Sequence, residues 1–235
     1  MTGFEQRFIR EGVFFRSLIE KYNISRALDA GCGTGFHSLL LARLGVDATA
    51  VDVSMNMLAM LERHAREMNL TVRGVNSTFE TLLNHVRGNY DAVFCMGNSL
   101  AHLLSKERLL LSLSSFSSVL KPGGILFIQV LNYDRILSQR MRIQSVKVER
   151  ETTFVRYYAY AGEIIRFNVL KLKKDKGRTH RSMMSVELRP VLREELLLLL
   201  REAGFEDVKV FGGLSMEEFR SDSSRDLVVL AVKPK

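Results

Sequence analysis

The densest chemistry in this sequence lies in Leu28-Asp29-Ala30-Gly31-Cys32-Gly33-Thr34-Gly35-Phe36-His37. Glycines at alternate positions after a short apolar run, with a helix start behind them, let the backbone turn sharply and approach a ligand closely. The spacing is Gly-x-Gly-x-Gly. Phe36 stands where the dinucleotide fingerprint Gly-x-Gly-x-x-Gly needs its third glycine, so a dinucleotide is not indicated. Asp52 closes the next apolar run, 21 residues after Gly31. An acid there can accept hydrogen bonds from two ribose hydroxyls, and helix capping is already supplied by Ser54. Asp29 is costly in a buried strand unless its carboxylate accepts from backbone N–H groups or, through water, from a ligand's amino group. Met96-Gly97-Asn98 follows a further apolar run and opens at the sheet edge where ligands of open α/β sheets bind. Asn98 is expected to face a substrate. His102 is placed to take a proton, with an ordinary pKa of about 6.5, although capping or packing on the following helix explains it equally well. Tyr133 offers a hydroxyl or a ring face to a cation, and a core tyrosine is an equal alternative. His37 reads as solvent-facing, and Cys32 and Cys95 read as small apolar fillers. Five scattered histidines and no cysteine pair give no metal-site spacing.

These residues need a scaffold, and the alternation of apolar runs with helical patterns over residues 1–132 reads as a βαβ series. Helices are expected over 8–22, 36–44, 55–68 and 106–120, and strands over 27–30, 47–53, 71–75, 91–96 and 125–131. The turn Lys121-Pro122-Gly123-Gly124 leads into the last strand. After Asn132 the period changes to two. Residues 146–160, 163–173 and 180–188, separated by Ala161-Gly162 and Asp175-Lys176-Gly177, predict an inserted antiparallel meander of three strands. A leucine-rich helix over 193–203 and strands over 208–211 and 227–232 close the domain. The expected division is therefore a domain of 1–132 plus 189–235, with 133–188 as a lid or substrate subdomain.

The composition is that of a folded protein: 46% hydrophobic and 26% charged residues among 235, with a net charge of +8. The charge is concentrated, with 13 Lys/Arg against 4 acids in 135–181, so that segment carries +9 and the remainder −1. A solvated face of basic strands accounts for it, and so does a face that meets an anionic substrate, a nucleic acid or an acidic membrane surface. Two cysteines cannot build a disulfide framework. The N-terminal residues lack a basic-then-apolar secretory signal, and no stretch approaches 18 uninterrupted apolar residues, which predicts a cytoplasmic protein with reduced thiols and no membrane span.

The glycine turn resembles the first motif of class I S-adenosylmethionine-dependent methyltransferases. Ala50-Val51-Asp52-Val53-Ser54 and Asn89-Tyr90-Asp91-Ala92-Val93 resemble the second and fourth, and Leu120-Lys121-Pro122-Gly123-Gly124 the turn before the fifth strand. Arg189-Pro190 and Ala203-Gly204-Phe205 also fit. The resemblance implies an α/β, Rossmann-like sheet of seven strands, S-adenosylmethionine as cofactor and S-adenosylhomocysteine as product. A closer resemblance, to the glycine/sarcosine N-methyltransferase group, rests on Met96-Gly97-Asn98-Ser99-Leu100-Ala101-His102-Leu103 and Asn132-Tyr133-Asp134-Arg135-Ile136-Leu137. It implies that Arg7 grips the carboxylate of the cofactor's methionine end and that Asn76 and Ser77 contact adenine. Met96, Gly97 and Asn98 would line the methyl-donor site, with Asn98 and His102 facing the acceptor. With Asp29, Gly31, Cys32, Gly33, Gly35, Asp52, Val53 and Met57, these complete the expected cofactor-binding set. The arginine that holds glycine's carboxylate in that group falls on Leu131, which argues against glycine as acceptor.

Three functions fit this reading. The leading one is methylation of a nitrogen or oxygen of a small molecule under the basic meander, with closure against a second copy in a homodimer as one arrangement. The second is a nucleic-acid methyltransferase using the basic segment. Against it, the chain lacks the Asn/Asp-Pro-Pro-aromatic run of amino-directed base methylases, a Pro-Cys nucleophile and an RNA-binding module. The third is a protein that binds the cofactor without catalysis.

Overall fold

Ala27-Leu28-Asp29-Ala30 is followed by a second run, Ala48-Thr49-Ala50-Val51, with no polar alternation in either, a pattern that suits strands covered on both faces. In a computed structural model that describes residues 2–175 and 178–235, they form adjacent interior strands of a seven-stranded sheet. The chain runs α1 (Thr2–Tyr22), β1 (Arg26–Ala30), α2 (Phe36–Arg43), β2 (Asp47–Asp52), α3 (Met55–Glu67), β3 (Arg73–Asn76), β4 (Tyr90–Cys95), α4 (Lys106–Val119), β5 (Leu120–Leu131) and α5 (Tyr133–Ser138). Four further strands follow, β6 (Ile143–Glu149), β7 (Thr152–Ala161), β8 (Ile164–Asp175) and β9 (Arg178–Leu188), then α6 (Arg193–Glu202), β10 (Glu206–Phe211) and β11 (Asp226–Val232).

The large sheet has the order β10-β11-β5-β4-β1-β2-β3. Strands β1 to β5 are parallel, and β11 and β10 are antiparallel additions at one edge. The chain leaves β1 in one direction through β2 and β3 and returns on its other side as β4. That reversal leaves a crevice at the carboxyl ends of β1 and β4, the place where open sheets bind ligands. One face is covered by α1 and α2, with Phe15, Leu39, Leu40 and Leu41 packed on Ala27, Phe94 and Phe127. The other is covered by α4 and α6, with Leu113, Phe116, Leu196 and Leu199 packed around Leu28, Val93 and Leu126.

The inserted meander has four strands, not three, in the order β6-β7-β8-β9. The expected single strand over 146–160 is a hairpin: Glu149 pairs with Thr152, and Arg150 makes the turn at φ 53. A two-residue turn built without glycine, asparagine or proline keeps the period of two running through it, so the alternation conceals the break. Of the second expected turn, Lys176 and Gly177 lie outside the described residues. The basic side chains of this sheet are mostly exposed; Arg166 pairs with Glu187 across strands, and Lys171 lies over the Phe154 ring. Among the described residues no helix is long and apolar enough to cross a membrane.

Candidate active site

The glycine turn is stitched to the neighbouring strand rather than left free. The N–H groups of Gly31 and Cys32 both donate to the Val51 carbonyl, at 2.8 and 3.0 Å. Asp52, at the end of β2, uses its two oxygens separately: Oδ2 accepts from the Gly33 N–H at 2.9 Å, and Oδ1 from the Ser54 N–H at 2.9 Å. The acid singled out in the sequence therefore fixes the turn as well as facing it. Ser54 caps α3 by accepting from the Met57 N–H, and Val53 and Met57 lie exposed beside it. Gly33 has φ +54, yet a Cβ built on it would meet nothing within 4 Å. At Gly35, φ +91, a Cβ would strike Leu61 at 2.6 Å. One glycine answers to packing and the other to open space above the turn.

Asp29, Cys32 and Ser77 of the expected set turn inward, and Asn76 stays exposed. Asp29 is buried, accepting from the Ser38 hydroxyl at 2.5 Å. Burial pushes its carboxyl up, with His37 and Ser38 opposing. The buried Cys32 thiol is pushed up by burial and by the charges of Asp29 and Asp52, so it remains an uncharged filler. The Asn76 side chain donates to the carbonyls of Asp52 and Val53 at 3.0 and 2.9 Å, bracing the β2–α3 turn. Ser77 is also buried, its hydroxyl directed to the Thr78 carbonyl and Thr81.

Across the crevice, Gly97 and Asn98 follow β4 in left-handed conformations, φ 67 and 72. Asn98 is a clamp: its Nδ2 donates to the Tyr133 hydroxyl at 2.9 Å, and its Oδ1 accepts from the Leu131 N–H at 3.1 Å. Tyr133 is fully buried, and burial holds its phenol far above the usual range despite the bond from Asn98. Of the two readings the sequence left open for Tyr133, its ring takes the core one, with Ile136 of the same helix buried beside it and the hydroxyl reaching Asn98.

A cavity of about 1130 Å³ opens beside these turns. Of the expected residues it is walled by Arg7, Gly97, Asn98 and His102; Met96 is buried beneath, and the glycine turn, Asp52 and residues 76–77 lie outside its walls. Phe167, Met184, Val186 and Leu188 from β8 and β9 roof it, and Gln129 and Asp226 belong to its polar side. His102 is exposed there, with no hydrogen-bond partner for its ring among the described residues. Burial of its surroundings lowers its pKa, and the charge of Asp52 opposes that.

Arg7 does not stand alone. Its Nε and Nη2 donate to the two oxygens of Glu11 at 2.8 and 3.2 Å, and its guanidinium lies 3.7 Å from the Phe36 ring centroid. His37, expected in solvent, is only 13% exposed and reaches Glu11 at 3.3 Å, because the α2 N-terminus packs its ring against Phe15. Burial would raise the Glu11 carboxyl, but hydrogen bonds from His37 and Arg7 hold it down at about 2. Glu11, Gln129 and Asp226 were not singled out in the sequence. The i,i+4 spacing of Arg7 and Glu11 was a readable signal for the first; no local signal marks the other two, which meet only through the β5–β11 pairing.

The fit of a sulfonium nucleoside is tested by these features. The turn presents an open face at Gly33, where a Cβ would meet nothing within 4 Å, and a half-buried carboxylate stands beside it at Asp52. Both suit a ribose-bearing ligand at the carboxyl edge of the sheet.

Comparison with known proteins agrees. A family described as "Methyltransferase domain" matches residues 27–124. The chain is similar to a glycine/sarcosine N-methyltransferase of Aphanothece halophytica, with 29% identity over 238 residues, covering 99% of this chain and 85% of that protein. It is also similar to a glycine/sarcosine/dimethylglycine N-methyltransferase of Actinopolyspora halophila, with 30% identity over 218 residues, covering 90% of this chain and 37% of that one. A crystal structure of a S-adenosylmethionine-dependent methyltransferase from Clostridium acetobutylicum superposes with a TM-score of 0.85 at 18% identity, covering 97% of this chain and 92% of that one. Strand order and superposition show the fold of the S-adenosylmethionine-dependent methyltransferases, and the segment that carries the glycine turn is the one that matches the methyltransferase domain. In sequence the chain is similar to glycine/sarcosine N-methyltransferases over most of its length.

Proposed function

We propose that this protein moves the methyl group of S-adenosylmethionine to a nitrogen or oxygen of a small molecule held in the 1130 Å³ cavity. The reading is carried by one juxtaposition: a cavity walled by Gly97, Asn98 and His102 lies at the same sheet edge as the Asp52-anchored glycine turn. When bound, the cofactor supplies a methyl group activated by an adjacent positive sulfur. Asp52 and the open face of Gly33 would hold its ribose, and Arg7, oriented by Glu11, its carboxylate. Asn76, with its amide committed to the turn, would shape the adenine site through the backbone of residues 76–77.

The rest is alignment. Holding two reactants in line is worth roughly 7–11 kcal/mol, and the Gly97-Asn98 turn is fixed for that purpose by Leu131 and Tyr133. Tyr133 is thus a positioning residue that acts through Asn98. His102 takes the proton that a protonated acceptor must give up; its lowered pKa keeps it neutral and ready near pH 7. Residues 133–188 serve as a lid subdomain on the domain of 1–132 and 189–235, and their apolar roof excludes water. The two free cysteines, both buried, suit a reducing cytoplasmic setting.

The test is direct. Purified protein is incubated with S-adenosylmethionine and a panel of small amines and alcohols, and S-adenosylhomocysteine is quantified. Acceptor-dependent product that falls at least about a hundredfold in His102→Asn supports the assignment; product formed equally without any acceptor would overturn it.

A further inference from the structure

The polar side of the cavity carries a carboxylate that methyl transfer, as derived above, does not use. Asp226 opens β11 directly opposite Leu131 of β5. Its Oδ2 accepts from Gln129 Nε2 at 3.0 Å, and Gln129 Oε1 accepts in turn from the Gly97 N–H at 3.4 Å. One glutamine therefore ties this carboxylate to the turn that positions the acceptor. The second oxygen, Oδ1, has no hydrogen-bond partner among the described residues and is not sealed from the cavity.

No cationic side chain of the cavity forms an ion pair with Asp226 among the described residues. Arg7 is held by both oxygens of Glu11, Arg10 has a 75% exposed side chain 3.6 Å from the same carboxylate, and Arg225 is exposed. Asp226 is half-buried and lines the same cavity as Phe167, Met184 and Val186. Desolvation of that kind makes an unpaired carboxylate costly and an arriving cation correspondingly welcome. Burial pushes the Asp226 carboxyl up, helped by Glu217, and Gln129, Arg225 and Arg135 oppose it without cancelling the effect.

We propose that Asp226 selects the acceptor: its free oxygen binds the protonated amine of a small molecule whose apolar body lies against Phe167 and Met184. This rests on the reading of the cavity as a methyltransferase acceptor site and narrows its substrate to the class of small amines with an apolar body.

The test is calorimetric titration of the full chain, with and without saturating S-adenosylhomocysteine. Its probes are benzylamine and 2-phenylethylamine, their neutral counterparts benzyl alcohol and 2-phenylethanol, and the anion 3-phenylpropionate. The expected result is binding of the amines at least about tenfold tighter than the alcohols. Asp226→Asn, nearly isosteric, should lose that preference while keeping its affinity for S-adenosylhomocysteine. Alcohols bound as tightly as amines, a preference for the anion, amine binding unaffected in Asp226→Asn, or no binding of any probe at millimolar concentration would each overturn the assignment. The comparison within the wild-type protein needs no variant. Failure of S-adenosylhomocysteine itself to bind would instead count against the methyltransferase reading, while the amine-to-alcohol ratio without it still decides the role of Asp226.

Discussion

Replacing Gly33 and Gly35 separately by alanine pulls apart two demands on the same turn. At Gly33, φ +54, the added Cβ meets nothing within 4 Å, so the cost to the fold is that of a left-handed L-residue alone, roughly 1–2 kcal/mol. For a chain of this size that lowers the melting temperature by about 2–8 °C. At Gly35 the same strain is joined by a collision: Cβ would lie 2.6 Å from Leu61 Cγ and 2.7 Å from its Cδ1, and Leu61 is fully buried. Overpacking of that sort adds roughly 1–3 kcal/mol, for a combined loss of about 2–5 kcal/mol and a melting point lower by about 4–20 °C. Ligand affinity should rank the other way for a given loss of stability. A methyl on the open face of Gly33 occupies the surface that the ribose approaches, and S-adenosylhomocysteine should bind at least about tenfold more weakly, or about 1.4 kcal/mol. Differential scanning calorimetry and isothermal titration on both variants read the two effects independently. Undiminished affinity in Gly33→Ala would refute the turn as the ligand cradle, and a larger stability loss in Gly33→Ala than in Gly35→Ala would refute the packing argument.

The pH profile of kcat/KM should have an acid limb below the ordinary imidazole value, because His102 is held low and loses activity only when protonated; His102→Asn should remove that limb, and its persistence would exclude this histidine as the proton acceptor. Tyr133→Phe strips the acceptor from Asn98 Nδ2, costing about 1–2 kcal/mol; turnover should fall while S-adenosylhomocysteine affinity stays unchanged, and normal turnover in initial-rate assays would contradict the positioning role. Burial would raise the Asp91 carboxyl, but Lys121 and the N–H groups of Arg26 and Ser25 hold it at about 2. A depressed carboxyl stabilises the fold above its unfolded pKa and loses that contribution as pH falls through the folded one. Asp91→Asn should therefore cost about 2 kcal/mol at pH 7 and only a small part of that at pH 2, where about half of the folded-state carboxyl and nearly all of the unfolded-state one is protonated; equal losses at the two pH values in urea titrations would argue against it.

The parallel half of the fold is legible because its signals are local: apolar runs of strand length, Ser54 before a helix, Gly-x-Gly-x-Gly after a strand. The fourth strand of the lid is hidden, since a hairpin at Arg150-Glu151 uses none of the residues that ordinarily announce a turn. Asp52 is readable as a functional acid, but its two backbone bonds, to Gly33 and Ser54, depend on how β2 lies beside the turn and have no sequence signature. His37 and Tyr133 show the same limit from the other side. Each is polar and near a motif, and only the packing of α2 against Phe15 and of α5 into the core decides that they face inward. Asp226 lies 97 residues from Gln129 and meets it only because β11 pairs antiparallel with β5. Nothing within either segment points to the other.

Titration of S-adenosylhomocysteine into the wild-type protein and into Asp52→Asn, with NAD as control, bears most directly on the central claim. The asparagine keeps one acceptor oxygen for the turn, so a normal melting transition can accompany a lost ligand contact. Micromolar binding by the wild type, none of NAD, and a loss of at least about tenfold in Asp52→Asn is the predicted result. Equal affinity in both proteins, or no binding by a folded wild type, would contradict the account.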